Sequence, residues 1–214
     1  VSGPTKEWGW NSGGYAEANG FNSGDTEEDW LVLPGIDLDS YSNELMTFDT
    51  WYRFGSDDEN NYLKLFYSTD YAGVGDPSGA TWVELAFNKP SIDQTWESSG
   101  VVDLSGISGS SIYIAFKYRY EAGSYRWWEI DNIVITEQIE WANLQWPPNG
   151  TITVGGNFDV YAQVYKSGVT EPAGQGAGIT VWIGYSATDT DPATWTDWVP
   201  ASYNGDSFSN DEYV

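Results

Sequence analysis

Carboxylates crowd two short loops of this chain, and binding of a divalent cation is the chemistry that such crowding favours. Residues 24–30, GDTEEDW, hold four acidic side chains, and residues 55–61, GSDDENN, hold three more at 57–59. Asp131 stands inside an otherwise apolar run, where a carboxylate needs a partner. Calcium takes about six to eight oxygen ligands, so the loops at 25–29 and 57–59 and Asp131 are candidate ligands. The spacing matches no EF-hand, and the alternative for each carboxylate is a solvated loop or strand-end residue.

The chain contains no histidine and no cysteine, which excludes several kinds of catalytic site. Neither a Ser-His-Asp nor a Cys-His nucleophile system can form, and neither can an ordinary zinc site or a disulfide. An enzyme built from this chain would use paired carboxylates, a Ser-Lys pair or a metal held by oxygen ligands. A glycoside hydrolase would place two carboxylates about 5 to 9.5 Å apart. Asp49 and Asp131 are the two acids that stand alone within apolar stretches, so they are the candidates for that alternative.

Aromatic side chains are the second source of ligand chemistry. The chain has 13 Trp and 15 Tyr among its 214 residues, and exposed aromatic rings beside polar groups are the usual platforms for sugars. Four tryptophans lie at predicted strand ends or on the less apolar strand faces: Trp51, Trp82, Trp96 and Trp127. These four are candidate glycan-binding residues. The alternative for each is core filling, because a tryptophan buries about 200 Å² wherever it packs.

The formal net charge of −24 arises from 32 acidic and 8 basic residues. Such a surface repels nucleic acid and anionic lipid and attracts divalent cations, and it also favours solubility in a salty medium. No run approaches the roughly 18 apolar residues of a membrane span. The N-terminus, VSGPTK, has no hydrophobic targeting core, so we expect that any signal peptide has been removed.

The elements that must position these residues are β-strands. Residues 112–120 alternate strictly between apolar and polar side chains, and 127–135 form a second aromatic and β-branched run after the turn residues 121–124. The sequence therefore predicts a long antiparallel hairpin of 112–120 and 127–135. Residues 44–54 alternate too, and we assign Met46, Phe48, Thr50 and Tyr52 to the core. Residues 1–29 are expected to be irregular, with at most one short strand.

The composition changes near Gln138. Acidic residues number 23 in 1–137 and 9 in 138–214, and basic residues fall from 7 to 1. Short alternating segments with regular turn signals then predict an immunoglobulin-like sandwich in 138–214. Four or five strands are visible where a complete sandwich needs about seven, so we expect this domain to be truncated at its C-terminal side. The fold class is predicted as all-β, a jelly-roll β-sandwich (1–137) followed by a partial immunoglobulin-like β-sandwich (138–214).

Three resemblances follow from particular motifs. Residues 28–136, with EDWLVLPGIDL, YLKLFYSTDYAG, ATWVEL, IAFKYRY and WWEIDNIVI in that order, resemble the cleaved-adhesin or choice-of-anchor J domains of Bacteroidota surface proteins, which are jelly rolls related to MAM domains. The tail, from WANLQWP to NDEYV, resembles a module that follows such domains in secreted flavobacterial proteins. Within the first domain, Ser68-Thr69-Asp70 and 79–82 look like an interrupted S-x-D-x-G-x-T-W turn of β-propeller proteins, a folding staple between two strands.

The resemblance to cleaved adhesins implies a non-catalytic module that binds an extracellular glycan or protein surface. It implies secretion or cell-surface display by the type IX route, as part of a larger secreted chain, without binding nucleic acid or inserting into a membrane. It also implies structural Ca²⁺ that ties the segment before the first strand to the last strand, which carries over to Glu28, Asp29 and Asp131 and loosely to Asp25. The alternatives are a structural spacer of a larger surface or filament protein and a carboxylate-pair glycoside hydrolase.

Overall fold

The computed structural model describes residues 6–123 and 125–214, and the chain divides into two compact units, the first ending at Gln138 and the second beginning at Ile139. Both units are built from strands, with two single-turn 3₁₀ helices at Pro77–Gly79 and Pro192–Thr194. The strands of the first unit are β1 (Gly9–Trp10), β2 (Ala16–Ala18), β3 (Glu27–Val32), β4 (Glu44–Arg53), β5 (Tyr62–Ser68), β6 (Val83–Leu85), β7 (Glu97–Ser98), β8 (Val102–Asp103), β9 (Tyr113–Tyr120) and β10 (Trp127–Glu137).

Two antiparallel sheets form the first unit. One sheet has the order β1-β2-β10-β4-β7, with β8 also paired to β4, and the other has the order β3-β9-β5-β6. The sheets pack face to face, since the ring of Phe48 on β4 lies 4.9 Å from that of Phe116 on β9. This is the all-β sandwich that the alternation predicts.

The core of the first unit follows the alternation of its strands. Successive side chains of a strand point to opposite faces, and Met46, Phe48 and Thr50 on β4 are almost fully buried, as predicted. Leu63 and Leu65 on β5 are completely buried opposite them. The remaining buried apolar residues of this core come from both sheets and their connections: Ala18, Leu38, Val102, Leu104, Ile107, Ile112, Ile114, Phe116, Tyr118, Tyr120, Trp128 and Ile130.

The predicted pairing of 112–120 with 127–135 is wrong. Strand β9 pairs with β3 and β5, whereas β10 pairs with β2 and β4, so the chain passes from one sheet to the other between Tyr120 and Trp127. Both runs present an apolar face to the same core, but they do so from opposite sides. Alternation and a short intervening turn are common to a hairpin and to such a crossing, which is why the sequence pattern did not separate them.

The acidic stretch before Trp30 is partly strand rather than loop. Residues Glu27 to Asp29 belong to β3, and the alternation turns Glu27 and Asp29 inward while Glu28 stays exposed. The carboxylate of Glu28 forms an ion pair with Lys117 at 2.9 Å. The expectation of an irregular segment over 1–29 is therefore corrected within the described residues, because β1, β2 and the start of β3 lie there.

The proposed staple between β5 and β6 is formed by hydrogen bonds. Ser68 donates its hydroxyl to Oδ1 of Asp70 at 2.8 Å, and the backbone N–H of Thr81 donates to the same oxygen at 2.8 Å. These donors hold the pKa of Asp70 below its usual value. The indole N–H of Trp82 donates to the carbonyl of Pro77 at 2.7 Å. Asp70 thus joins the two ends of the Gly-rich insertion.

The second unit has six strands: β11 (Trp141–Trp146), β12 (Tyr161–Tyr165), β13 (Val181–Tyr185), β14 (Asp197–Ala201), β15 (Tyr203–Ser207) and β16 (Asn210–Tyr213). They form one sheet of order β11-β12-β16-β15 and a two-stranded sheet of β13 and β14. Its small core consists of Val164, Ile179 and Tyr213 with a few partly buried neighbours. The immunoglobulin-like classification and the truncation of this unit stay predictions.

Transmembrane helices were sought over the described residues, and no helix there has the length and apolar character to cross a membrane.

Candidate ligand-binding face

Three of the four tryptophans that were predicted to bind a glycan lie on the outward side of the six-stranded sheet. Because Trp128 and Ile130 point into the core, Trp127 and Glu129 on the same strand point outward. Trp51 on β4 lies directly opposite Glu129 in the antiparallel register, so their side chains share that outward face. The rings of Trp51 and Trp127 meet edge to face with centroids 5.5 Å apart.

Strand β2 adds a second carboxylate and a fourth ring to this side. Glu17 lies opposite Glu129 on the other flank of β10. Tyr15, two residues before Glu17, lies near both carboxylates, and its ring meets that of Trp96 edge to face with centroids 5.5 Å apart. We name this surface the acid–aromatic face and define it by six residues: Tyr15, Glu17, Trp51, Trp96, Trp127 and Glu129.

Glu129 has the most perturbed acidic group of the face. Its side chain is only 4% exposed, and burial, with the charge of Glu17 second, raises the pKa of Glu129 to about 7. Burial and the same two carboxylates also raise the pKa of the Tyr15 hydroxyl. Among the described residues, no donor or cation compensates the carboxylate of Glu129. The carboxyl group is therefore poised to change its protonation state near neutral pH.

Glu17 is held in place, whereas two other polar groups of the face are not. The side-chain amide of Asn11 donates to Oε2 of Glu17 at 3.0 Å. The indole N–H of Trp127 is enclosed and has no acceptor among the described residues. Neither oxygen of Glu129 belongs to the fully enclosed atoms that lack a partner, so both oxygens keep some contact with solvent. The face thus offers an uncompensated carboxyl group to a ligand.

The acid–aromatic face continues along β10 and β4 into further carboxylates. Asp131 lies opposite Asp49 in the register, and a bulge follows it, with Asn132 in the left-handed region at a φ of 52°. The amide of Asn132 donates to Oδ2 of Asp49 at 2.8 Å, and its backbone N–H donates to Oδ1 of Asp131 at 2.8 Å. These two aspartates are stabilised by local hydrogen bonds.

Trp82 lies apart from the other three predicted tryptophans. Its ring packs against those of Trp30 and Tyr71, with centroids 5.1 and 5.6 Å away, on the four-stranded sheet. Its indole N–H is already used by Pro77. The structure therefore assigns Trp82 a packing role beside the staple.

The four predicted calcium ligands do not form one site. Asp25 is exposed and Asp29 is buried at the start of β3, but Glu28 points away from Asp29 and is paired with Lys117. Asp131 lies on the other sheet. In the part of the chain that the structure describes, no group of three acidic residues is placed to hold a metal ion. The four residues therefore do not fit a single ion, and calcium stays a prediction.

Two carboxylates of the second acidic loop form hydrogen bonds or ion pairs with nearby residues. Oδ2 of Asp58 accepts from the hydroxyl of Ser56, and Oδ1 accepts from the backbone N–H groups of Asn60 and Asn61, which together lower the pKa of Asp58 to about 2. Asp57 pairs with Lys89 at 2.6 Å. This loop therefore behaves as a hydrogen-bonded turn.

Three residues of interest escaped the sequence reasoning: Tyr15, Glu17 and Glu129. Glu129 stands between apolar residues in the run at 127–135, as Asp131 does, and its alternation with Trp128 was the available signal. The same alternation turns Glu27, which lies within the candidate loop at 25–29, inward once 27–32 is recognised as a strand. Tyr15 and Glu17 carry no local signal, because only the pairing of β2 with β10 brings them to Glu129.

Comparisons with known proteins give one family and several similar structures. The model of the family described as Domain of unknown function (DUF5017) matches residues 10–147. No curated protein matches the chain. Among solved structures, the K1 cleaved adhesin domain of Lys-gingipain from Porphyromonas gingivalis is 18% identical and has a TM-score of 0.43, with 64% of this chain and 90% of that chain covered.

Two further solved structures are similar to about the same degree. The K3 cleaved adhesin domain of the same gingipain is 16% identical with a TM-score of 0.40, over 64% of this chain and 91% of that one. The family 30 carbohydrate-binding module of a cellulosomal cellulase from Clostridium thermocellum is 18% identical with a TM-score of 0.38, over 60% of this chain and 78% of that one.

Proposed function

The chain belongs to the family described as Domain of unknown function (DUF5017), and we propose that it is a non-catalytic binding module whose acid–aromatic face takes an extracellular glycan. The observation that carries the proposal is the gathering of Trp51, Trp96 and Trp127 with Tyr15 around Glu129 on one side of one sheet. A core role does not require these rings, because the inward-facing residues of the same strands already fill the core.

The chemistry of the face suits a sugar. Aromatic rings offer flat apolar surface together with a polar edge, and they stack against the C–H faces of a pyranose. Carboxylates accept hydrogen bonds from hydroxyl groups, and an indole N–H donates one. Because the strands β2, β10 and β4 are rigid and hydrogen-bonded, these groups are held in fixed positions before a ligand arrives.

Location and partners are part of the same proposal. A charge of −24 disfavours nucleic acid and anionic lipid as partners. The resemblance to cleaved adhesins supports a place in a larger secreted or surface-displayed chain, exported by the type IX route. The ligand class is an extracellular glycan, and a protein surface is the alternative occupant.

A glycan array with the intact chain tests the proposal, followed by titration calorimetry on the best ligand. Trp51→Ala and Trp127→Ala are expected to weaken binding by at least about tenfold, because stacked rings are lost. Trp82→Ala is the matched control, since Trp82 lies on the other sheet, and it should bind like the wild type. Binding that tolerates both face variants would place the glycan elsewhere and contradict the proposed face, whereas a negative array would favour the structural spacer.

One observation favours a second function, hydrolysis of a glycosidic bond. Glu129, with a raised pKa, and Glu17 stand opposite each other on neighbouring strands of an aromatic face, and glycosidases use one protonated and one ionised carboxyl group. Incubation of the array ligands with the chain and analysis of reducing ends tests this. Release of reducing ends by the wild type but not by Glu129→Gln would establish the hydrolase.

A further inference from the structure

We propose that the sugar bound at the acid–aromatic face is an amino sugar whose charged ammonium group sits against Glu129 and Glu17. This inference rests on the proposed glycan-binding function and names its ligand class. A glucosamine unit with a free amine is the chemistry meant, as opposed to a neutral or N-acetylated unit.

Two carboxylates without a compensating cation carry the argument. Glu129 and Glu17 face each other across antiparallel strands, where opposed Cβ atoms are about 5 Å apart. Like charges in that position destabilise each other. Glu129 is 4% exposed and its carboxylate has no hydrogen bond or ion pair among the described residues. A cation bound between the two groups removes this conflict.

The contrast with neighbouring carboxylates shows that the lack of a partner is particular to Glu129. Glu97, on β7 of the same sheet, accepts hydrogen bonds from the backbone N–H groups of Ser91 and Ile92 at 2.8 and 2.7 Å. Glu28 on the other sheet is paired with Lys117. A buried ionised group without such partners is costly, so an uncompensated position is expected where a ligand supplies the partner.

Arg53, Lys117 and Arg119 are engaged away from Glu129. Arg53 lies opposite Trp127 in the register, but its guanidinium is stacked over the ring of Phe54 at 4.4 Å. Lys117 and Arg119 lie on β9, in the other sheet, beside Glu28. None of these three cations pairs with Glu129, and an ammonium group of the ligand would supply the missing positive charge.

The aromatic part of the face fits the same ligand. The faces of tryptophan and tyrosine rings attract cations through their quadrupoles, with about 0.5 to 2 kcal/mol in favour of binding. Tyr15 lies beside both carboxylates, and Trp51 lies opposite Glu129. A free amine thus gains from the rings and the carboxylates together, whereas an acetamido group gains neither charge interaction.

Glu129 is almost fully buried, and this restricts the ligand further. Since only 4% of the residue is exposed, a compact ammonium group suits this position better than a bulky guanidinium does. The raised pKa of Glu129 agrees with the proposal, because an adjacent ammonium group would draw that pKa down and release a proton on binding.

The test uses the intact chain and two tetrasaccharides of N-acetylglucosamine, one fully acetylated and one with a single free amine. A single amine avoids the general attraction between a polycation and this acidic protein. Calorimetry is run at pH 6 in 150 mM and 500 mM salt. Salt weakens the contact of a partly buried ammonium group with Glu129 less than it weakens a general attraction to the acidic surface. We expect the amine to bind at least about tenfold more tightly, and binding to release protons, seen as a dependence of the heat on the buffer's ionisation enthalpy.

Variants separate this inference from the proposed function. Glu129→Gln and Glu17→Gln are expected to abolish the preference for the amine, while Glu140→Gln, an exposed glutamate of the second unit, leaves it unchanged. Equal affinity for the two sugars, with loss in Trp51→Ala, would overturn the amine preference and leave the glycan-binding function standing. If neither sugar binds, the inference is wrong. The glycan array then decides separately whether the proposed glycan-binding function is also wrong.

Discussion

The buried position of Glu129 lowers the stability of the fold. It lies opposite Glu17 on β2 and Trp51 on β4, with Tyr15 beside it and with Asp131 two residues further along its own strand. The charged group that acts on its pKa is the carboxylate of Glu17. A position that lowers stability and offers uncompensated chemistry is typical of a binding site, where function and stability compete.

The pH dependence of stability tests this reading of Glu129. Its folded-state pKa of about 7 lies above the ordinary value of 4.5, so its contribution is fully present below pH 4.5 and is lost as the pH rises through 7. Glu129→Gln should therefore be more stable than the wild type at pH 8, by about 1 to 2 kcal/mol after allowance for solvent screening, and equally stable at pH 4.5. Urea unfolding at both pH values measures this difference.

Glu140→Gln is the control for that experiment, since it removes the same formal charge from an exposed site. A gain at pH 8 of the same size in Glu140→Gln would mean that the general acidity of the chain, and not the surroundings of Glu129, produces the effect.

At the scale of elements, the placement of β9 and β10 decides what the face contains. Because β10 lies between β2 and β4, its outward residues meet Glu17 on one flank and Trp51 on the other. In the predicted hairpin, β9 would have occupied one flank of β10, so Glu17 and Trp51 could not both have been neighbours of Glu129. The acid–aromatic face is thus a consequence of the strand crossing between the sheets.

Paired cysteines test the strand order, and the chain has no cysteine of its own to interfere. Thr47 and Val134 are register partners on the outward side of β4 and β10, where Cα atoms lie within the range that a disulfide spans. Thr47→Cys with Val134→Cys should oxidise to a disulfide that raises the melting temperature, measured with and without reductant. The pair Tyr113→Cys and Val134→Cys, which would be neighbours in the hairpin, should keep both thiols; the reverse result would restore the hairpin.

The Asp70 staple gives a second prediction at this scale. Asp70→Ala removes the acceptor shared by Ser68 and Thr81, so the ends of the insertion between β5 and β6 should separate more easily. We expect a lower urea midpoint and faster hydrogen exchange at the Thr81 amide. Asp76→Ala is the control within the same loop, because Asp76 caps the single-turn helix there instead. Unchanged hydrogen exchange at the Thr81 amide in Asp70→Ala would show that Asp70 does not hold the two ends of the insertion together.

Calcium is to be tested at the start of β3. Burial first, and then the charges of Glu27, Asp29 and Asp25, raise the pKa of Tyr120, so these three carboxylates all act on one hydroxyl group. If an ion binds the native state there, a hundredfold excess over its Kd adds about 2.7 kcal/mol of stability, and EDTA should lower the melting temperature. Asp29→Asn should remove that sensitivity, whereas Asp131→Asn should keep it. No bound metal by elemental analysis and no effect of EDTA would end the calcium hypothesis.

At the scale of the whole molecule, the two units have separate cores. The buried cluster of the first unit comes from residues between Ala18 and Ile130, and that of the second comes from Val164, Ile179 and Tyr213. A fragment of residues 1–138 should therefore fold alone and melt in one cooperative transition, followed by near-ultraviolet circular dichroism. A broad, non-cooperative melt would contradict the proposed boundary near Gln138.

The sequence by itself determined which side chains of a strand share a face. Successive Cβ atoms alternate across a strand, so the burial of Met46 and Phe48 and the outward position of Trp51 follow from local order alone. The all-β class and most strand positions were predictable for the same reason. The exclusion of histidine- and cysteine-based catalysis needed no structure either.

Only the tertiary structure decided which strands are neighbours. An alternating strand can pair with any other on either flank, since backbone N–H and C=O groups are the same at every residue, and the choice depends on how all apolar faces close around one core. That choice separated β9 from β10 and removed Asp131 from the vicinity of Asp29. It also brought Glu17 and Tyr15 to Glu129, and it is this non-local contact, together with burial, that raises the pKa of Glu129.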